Sequence, residues 1–257
     1  MRRYWVPKSA VRGGPGPEDV AEVVLDGDVL HHIRDVCRMH VGSKFEVIVE
    51  GGHAHLVEIT SEAKRESVAR VLETRKIPEL PRPHVHLVLS VPRFPVFEAV
   101  IEKAVELGVK AIHPVYSDFS FIKKQEDVFE KKRARFEKIV MGATQQSGRG
   151  DLMPIEAPVA LKQILESINR KDGAQGLFAY EGEAVLSARE GLSRLRSVQP
   201  SEVWVFVGSE GGFSDAEVQL FQSVGLKPVT LGPQVLRVET ACVALVSVIK
   251  YDFDLMR

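Results

Sequence analysis

The first 75 residues carry the polar and apolar alternation that is typical of half-buried β-strands. Between residues 45 and 72, three short runs alternate or are β-branched, and Gly51-Gly52 separates the first two. A glycine pair between such runs favours a β-hairpin. Leu30 to Met39 instead places apolar residues at helical spacing. Several short strands with one helix predict a small β-barrel domain over residues 1–75.

The period changes after a proline-rich segment. Residues 76–83 hold three prolines, which remove backbone donors and disfavour helix, so this segment is predicted to be a linker. From His84 onward, short apolar runs alternate with amphipathic stretches of helical length. This alternation predicts an α/β domain over residues 84–257, with a mostly parallel sheet between helices. The last helix, from about Glu239, is apolar on most sides and is predicted to be buried.

Two apolar runs of this second domain stop abruptly at glycines. Val203–Val207 leads into Gly208-Ser209-Glu210-Gly211-Gly212, and another short run ends at Leu231-Gly232-Pro233. Ligands of open α/β sheets bind in the crevice outside the carboxyl ends of the strands. Because both loops follow such strand ends, the pattern predicts that they form one site.

Composition and charge narrow the class of protein only slightly. The 257 residues are 44% hydrophobic and 27% charged, and the formal net charge is −1. The chain is therefore not basic overall, and its net charge does not indicate a nucleic-acid partner, although a neutral total can hide a basic face. Cys37 and Cys242 are two lone thiols, which fit a reducing cytoplasm. No apolar run reaches the length of about 18–20 residues that spans a bilayer, so we expect a cytoplasmic protein without membrane contact.

The chemistry of the two loops leaves two interpretations open. Glycines after a strand let backbone N–H groups approach a ligand, but Glu210 among them disfavours a phosphate and favours hydroxyls or positive charge. The alternative is a tight turn without function. In the second loop, Arg237 and Glu239 flank the start of the last helix. They are either a surface arginine beside a cap made by Glu239 or Thr240, or groups that orient a substrate.

Histidines cluster between residues 31 and 55, next to Cys37. Their spacing matches no zinc pattern, which would require a tetrahedral set of ligands. We therefore expect no metal site and assign these side chains to the helix surface or to contact with a partner molecule.

The two C-terminal loops together resemble the signature of a known family. Residues 207–214 with Glu217, followed by residues 231–241, are similar to the motifs of the bacterial 16S rRNA uracil-N3 methyltransferases of the SPOUT superfamily. The likeness extends over nearly the whole chain. Further segments that resemble the family are Glu102–Val109, Gln146-Ser147-x-Arg149, and His31-His32 followed by Val36-x-Arg38.

The sequence also departs from the family pattern at particular positions. Val96 stands where the family usually has a basic residue before the helical segment around Glu98, and Gln145 stands where it usually has an acid. Both differences concern expected RNA contacts more than the cofactor.

The resemblance implies both the fold and the cofactor. The N-terminal domain would be a PUA-like β-barrel, and the C-terminal SPOUT α/β domain would contain a deep trefoil knot and act as a homodimer. S-adenosylmethionine would bind in the knot, held by three loops. The residues assigned to this cofactor are Phe178, Ala179, Tyr180, Val207, Gly208, Ser209, Glu210, Gly211, Gly212, Leu231, Gly232, Leu236, Arg237, Thr240 and Ala241.

The implied reaction is methyl transfer from S-adenosylmethionine to N3 of a uracil in 16S rRNA, with the small ribosomal subunit as partner. N3 must lose its proton, so the resulting negative charge needs stabilisation. Arg237 is the candidate for that role, while Glu210 or Glu239 accepts the proton or holds Arg237. A ribose 2′-O-methyltransferase of the same superfamily and a non-catalytic ribosome-assembly factor are the alternatives.

RNA contacts are expected from basic side chains in both domains. The stretch from Lys123 to Arg149 holds eight Lys/Arg against four Asp/Glu, which alone is more typical of a solvated helix face. Beside motifs that resemble an RNA methyltransferase, contact with phosphates becomes the favoured interpretation. The candidates are Arg3, Arg34, Arg38, Arg135, Gln146 and Arg149.

Overall fold

The computed structural model describes residues 2–13, 19–123, 126–170, 173–182 and 186–256. The chain folds into two compact units. The first comprises Met1–Glu79 with Met141–Leu152, and the second comprises Leu80–Val140 with Met153–Arg257. The sequence pattern carried no signal that residues 141–152 join the N-terminal unit. The domain bounds of 1–75 and 84–257, with a linker at 76–83, stay a prediction.

The first unit is built on a six-stranded sheet in the order β1-β4-β5-β6-β3-β2. β1 and β4 are parallel, and the other neighbours are antiparallel. As predicted, Gly51 and Gly52 close the hairpin between β4 and β5, with φ angles of 110° and 80°. The strands are β1 Arg3–Val6, β2 Val11–Gly13, β3 Val20–Asp26, β4 Lys44–Val49, β5 His53–Glu62 and β6 Glu66–Lys76.

The helix predicted from Leu30 to Met39 lies several residues earlier in the structure. It consists of α1 (Gly27–His31) and a π-helical turn (His32–Val36). Arg38 has a φ of 51°, a left-handed conformation that a right-handed helix cannot include. The prediction was therefore wrong about where the helix begins and ends.

Residues 141–152 share a hydrophobic cluster with the N-terminal strands. Trp5, Ile48, Ala54 and Ile77 are buried together, and Met141 packs against them. Because these side chains come from β1, β4 and β5 and from the residue after β6, the cluster lies at one place in the first unit. This burial explains why the segment joins that unit.

The second unit contains a seven-stranded, wholly parallel sheet in the order β11-β13-β10-β12-β7-β8-β9. This confirms the α/β architecture that the alternation of elements predicts. The strands are β7 His84–Ser90, β8 Ala111–Tyr116, β9 Val159–Ala160, β10 Ala174–Ala179, β11 Leu186–Ser187, β12 Glu202–Val207 and β13 Lys227–Thr230.

Helices cover both faces of this sheet. Trp204 and Phe206 of β12 are buried in one cluster with residues of α5 and α7, while α8 packs against α2 and also contacts β12. Val205, between the two aromatic residues, is fully buried as well, so β12 is enclosed on both sides. The helices are α2 Phe94–Glu106, α3 Glu126–Glu130, α4 Arg133–Ser147, α5 Leu161–Asn169, α6 Ala188–Ser197, α7 Asp215–Ser223 and α8 Val238–Asp252.

None of the helices in these described ranges has the length and apolar character needed to cross a membrane.

The start of α7 is fixed by a capping box. Ser214 accepts a hydrogen bond from the N–H of Glu217, and the Glu217 carboxylate accepts one from the N–H of Ser214. The same carboxylate also accepts a hydrogen bond from the N–H of Asp118 at 2.9 Å, on the loop after β8. Glu217 is buried, so one side chain both caps a helix and ties a distant loop to it.

We expect Glu217→Ala to lower the free energy of unfolding by about 2–3 kcal/mol, because two N–H groups lose their acceptor in a buried setting. Glu190→Ala is the matched control, since Glu190 forms a capping box with Ser187 on the exposed surface and ties down no second loop. The loss for Glu190→Ala should be distinctly smaller, because its hydrogen bonds are exposed to water. Urea unfolding of both variants measures the difference in the free energy of unfolding. Equal losses for the two variants would contradict a stabilising role for the hydrogen bond between Glu217 and Asp118.

Candidate active site

A cavity of about 690 Å³ lies at the carboxyl ends of β7, β10, β12 and β13. This volume falls within the range of about 300–1,000 Å³ that small-molecule sites occupy. Three segments form most of the wall, namely residues 179–181, 207–213 and 229–241, and Arg93 and Val96 complete it. The structure thus brings the two glycine-containing loops into one site, as their positions after strands predict.

Two glycines are required for the tight turn after β12. A Cβ on Gly208 would lie 2.7 Å from the backbone of Gly212, too close for any other residue. Gly212 has a φ of 70° and donates its N–H to the carbonyl of Ser209 at 2.9 Å. The turn therefore presents bare backbone to the cavity, which suits close approach by a ligand.

The turn is held in place by the loop after β8. Ser209 donates its hydroxyl to the carbonyl of Phe119 at 2.6 Å. A Cβ on Gly211 would meet the Cβ of Phe119 at 2.8 Å, so the two segments are in direct contact. With the Glu217 tie, these contacts fix the cavity wall before any ligand binds.

Glu210 forms an ion pair with Arg93 across the cavity wall. The Arg93 Nε donates to Glu210 Oε1 at 3.0 Å, and the Arg93 backbone N–H donates to the same oxygen at 3.2 Å. Burial raises the pKa of Glu210, but hydrogen bonds from its own backbone N–H and from Arg93 outweigh that effect, and the pKa lies below its ordinary value. Glu210 is therefore an ionised partner of Arg93 rather than of Arg237.

Arg237 and Glu239 also line the cavity, at the start of α8. Arg237 is the N-cap residue with extended backbone, and its carbonyl accepts the first helical hydrogen bond from Ala241. No side chain caps this helix, so the suggestion that Glu239 or Thr240 does so was wrong. Arg237 is exposed, and across the ranges that the structure covers no carboxylate forms an ion pair with its guanidinium. Its charge is available to a ligand.

Two of the residues assigned to the cofactor lie elsewhere. Phe178 is fully buried and stacks on Phe221 at 4.4 Å between ring centroids, because alternate residues of a strand point to opposite faces. Thr240 is exposed and is not part of the cavity wall, since the helical turn directs it away from Arg237 and Ala241. The other assigned residues all line the cavity.

Sequence reasoning missed Arg93, Glu181 and Gln234, which also line the cavity. Of these three, Arg93 was the easiest to predict from sequence. It follows the carboxyl end of β7, and ligands of open α/β sheets bind outside such strand ends. Val96 departs from the family pattern, but Arg93 supplies a basic residue three positions earlier. Glu181 follows β10 and carried no distinguishing signal.

In the first unit, Arg3 and Gln146 are brought together by a structural contact. Arg3 pairs with Glu46 at 2.8 Å and donates to the backbone carbonyl of Gln146 at 3.0 Å. Arg149 has only 4% of its side chain exposed and pairs with Asp151 at 2.8 Å. Assigning Arg149 to RNA phosphates was wrong for this structure, because a buried, neutralised guanidinium offers no surface to a phosphate.

The remaining candidates for RNA contact are on the surface. Arg34 bonds to Asp35 at 3.3 Å and to two backbone carbonyls, and Arg135 is paired with Glu98. Arg38 is exposed and stands in the left-handed conformation noted above. Of these three, Arg38 presents its charge most openly.

Across the ranges that the structure covers, no group of three or more His, Cys, Asp or Glu side chains could hold a metal ion.

Comparison with known proteins defines the class first. The model of an RNA methyltransferase domain matches residues 78–250, and the model of an RNA methyltransferase PUA domain matches residues 25–72. Together with the α/β fold and its cavity, these matches place the protein among the RNA methyltransferases with an N-terminal PUA-like domain.

Individual relatives define the family. Ribosomal RNA small subunit methyltransferase E of Bacillus subtilis is 29% identical over 260 residues, covering 100% of this chain and 99% of the relative. The Aquifex aeolicus protein of that name is 31% identical, covering 88% and 93%. The Neisseria gonorrhoeae enzyme of that name, solved with S-adenosylmethionine, matches with a TM-score of 0.81 at 25% identity, covering 98% and 97%. The chain belongs to the ribosomal RNA small subunit methyltransferase E family.

The glycine turn gives a direct test of the cavity wall. Gly208→Ala should lower the free energy of unfolding by more than about 2 kcal/mol, because the added Cβ forces the turn away from Gly212. Gly212→Ala is the control, since a Cβ there meets nothing within 4 Å and adds only left-handed strain of about 1 kcal/mol. Urea unfolding measures both, and a loss that is no larger for Gly208→Ala would refute the close approach.

Proposed function

We propose that this protein methylates N3 of a uridine in 16S rRNA, with S-adenosylmethionine as methyl donor and the small ribosomal subunit as substrate. The observation that carries the proposal is that a bare glycine turn and Arg237, which has no ion-pair partner in the described ranges, line the same cavity in a member of this methyltransferase family. The turn suits a cofactor, and the arginine suits a base that becomes negatively charged.

The residues of the cavity fit S-adenosylmethionine. Val207, Val229 and Leu236 offer apolar contacts to an adenine, and backbone groups around Gly208 can approach its edge because no side chain intervenes. Acidic Glu181 and Glu210 suit ribose hydroxyls and positively charged groups rather than phosphates. When bound, S-adenosylmethionine supplies an electrophilic methyl group on a sulfonium sulfur.

Residues at the start of α8 are proposed to stabilise and deprotonate the uracil. Arg237 stabilises the negative charge that spreads onto the uracil carbonyls when N3 loses its proton. Glu210 is a weak base, because Arg93 holds its carboxylate and lowers its pKa. We therefore assign the N3 proton to the carboxylate of Glu239, two residues after Arg237. Unstacking of the target base precedes these steps.

The fold is proposed to include the two features that the family resemblance implies. The six-stranded sheet of the first unit closes as a PUA-like barrel. The second unit forms a trefoil knot of SPOUT type, and its support is the path of the last element. β13 pairs with β10, yet α8 after it packs back against α2 and β12. A segment that returns in this way passes the loop after β12.

The small domain is proposed to bind RNA mainly by shape and phosphate contact, with the exposed Arg38 and the partly exposed Arg34 as candidate contacts. Arg135 serves the same purpose from the second unit if phosphate replaces Glu98 as its partner. Such an enzyme acts where ribosomes are assembled, in the cytoplasm.

The protein is further proposed to be a homodimer. α8 is apolar along most of its length, and Tyr251 in its last turn is 80% exposed. The family resemblance implies the dimer, and the exposed Tyr251 is our candidate residue for its interface.

We expect Arg237→Ala to reduce kcat roughly 100- to 1,000-fold while leaving the dissociation constant of S-adenosylmethionine nearly unchanged. Arg194→Ala, an exposed arginine of α6 outside the cavity, is the control and should keep full activity. The assay incubates small subunits from a strain lacking the enzyme with the cofactor, and mass analysis identifies the methylated nucleoside. Methyl on the ribose, or equal loss of turnover and cofactor affinity, would count against the proposal.

Light scattering tests the dimer. Tyr251→Glu should shift the mass in solution from two chains to one, because it places a charge in the proposed interface. Val198→Glu, at an exposed apolar position at the end of α6, should leave two chains. A single-chain mass for the unmodified protein would exclude this interface.

A further inference from the structure

Two phenylalanines stand exposed on the loop after β8. Phe119 is 49% and Phe121 is 57% exposed, although both are large apolar side chains. We call residues 117–123 the aromatic loop. Exposed aromatic side chains that lie two residues apart are candidates for a binding surface, because leaving them in water costs free energy that burial against a partner would recover.

The aromatic loop is rigidly anchored, so this exposure is built into the fold. Ser117, Ser120 and Ile122 are buried. The N–H of Ser117 donates to the Ser120 hydroxyl at 2.8 Å, and the N–H of Phe121 donates to the carbonyl of Val91 at 2.8 Å. Inward residues thus alternate with the two outward phenylalanines. A fixed aromatic pair loses little entropy when it binds.

The loop is continuous with the rim of the cavity. The Cβ of Phe119 packs against Gly211, and Phe121 meets Phe94 edge to face at 6.5 Å between centroids. Phe94 follows the cavity residue Arg93. The aromatic side chains therefore extend outward from the rim of the cavity in which the cofactor and the target base are proposed to meet.

Cations border this aromatic surface. The Lys132 ammonium lies 5.6 Å from the centroid of the Phe94 ring. Lys123 is exposed at the end of the loop. Aromatic faces with neighbouring cations are the combination that binds single-stranded nucleic acid, with bases stacked on rings and phosphates near the charges.

We propose that Phe119 and Phe121 are positioning residues that stack unpaired RNA bases next to the target uridine. This inference rests on the proposed function. Single-stranded RNA is favoured over a second copy of the chain because two rings bordered by cations are far smaller than the roughly 800 Å² that each partner buries in a stable interface. Stacking on them would hold the RNA strand while the target base enters the cavity.

The test compares four variants of the full-length protein. Phe119→Ala with Phe121→Ala removes both rings but keeps the Cβ that packs on Gly211. Replacement of both by Trp keeps stacking faces, and replacement of both by Leu keeps apolar area without a ring. Val198→Ala removes an exposed apolar side chain elsewhere and is the matched control.

We expect the double Ala and double Leu variants to raise KM for unmethylated small subunits at least tenfold, with kcat and S-adenosylmethionine affinity little changed. The double Trp variant should restore KM, and Val198→Ala should not alter it. A KM unchanged by loss of the rings, or restored by Leu, would overturn stacking. A double Ala variant with half the solution mass of the unmodified protein would overturn it too, since a second chain would then cover the loop.

A second measurement does not depend on methylation. A single-stranded RNA of about 12 nucleotides, within the size range of single-strand sites, carries 2-aminopurine beside the target uridine. The unmodified protein and the Trp variant should quench its fluorescence, and the Ala variant should not. Quenching without any methylation of small subunits would refute the proposed function but would still support stacking on Phe119 and Phe121. Methylation with equal quenching by all variants would refute the stacking role alone.

Discussion

The buried carboxylate of Glu217 joins the two loops on which the site is built. It accepts hydrogen bonds from the N–H groups of Ser214, at the start of α7, and Asp118, on the aromatic loop. Ser209 and Gly211 then meet Phe119 within the same contact region. Because the glycine turn and the aromatic loop hold each other, the wall of the cavity and the exposed phenylalanines have fixed positions relative to one another. Cofactor, target base and flanking RNA are proposed to meet at this junction.

Charge within the cavity is divided between two arginines with different surroundings. Arg93 is neutralised by Glu210, whose pKa is held below its ordinary value, while Arg237 faces the cavity with no ion-pair partner in the described ranges. An acid locked in an ion pair is a poor proton acceptor, and an unpaired arginine is a good anion stabiliser. The tertiary pairing thus separates roles that the sequence left interchangeable, and it favours Glu239 over Glu210 as proton acceptor.

Basic residues counted along the chain were a poor guide to a nucleic-acid surface. Arg149 is buried against Asp151, and Arg3 holds Glu46 and the carbonyl of Gln146 within the first unit. A guanidinium donates up to five hydrogen bonds, so folded proteins often use it to satisfy carboxylates and carbonyls internally. The exposed Phe119 and Phe121 carry no charge and match no sequence motif, yet they are stronger candidates for contact with RNA bases.

The sequence by itself determined the hairpin at Gly51-Gly52, the α/β alternation of the second domain and the placement of the site after β12 and β13, because these follow from local periodicity and backbone conformation. Only the tertiary structure decided that Arg93 meets Glu210, 117 positions along the chain, and that residues 141–152 join the first unit. The tertiary structure also decided that Phe178 is buried in the core and that Thr240 is exposed outside the cavity wall. Such outcomes depend on which surfaces pack together, and spacing along one chain carries no information about partners that distant.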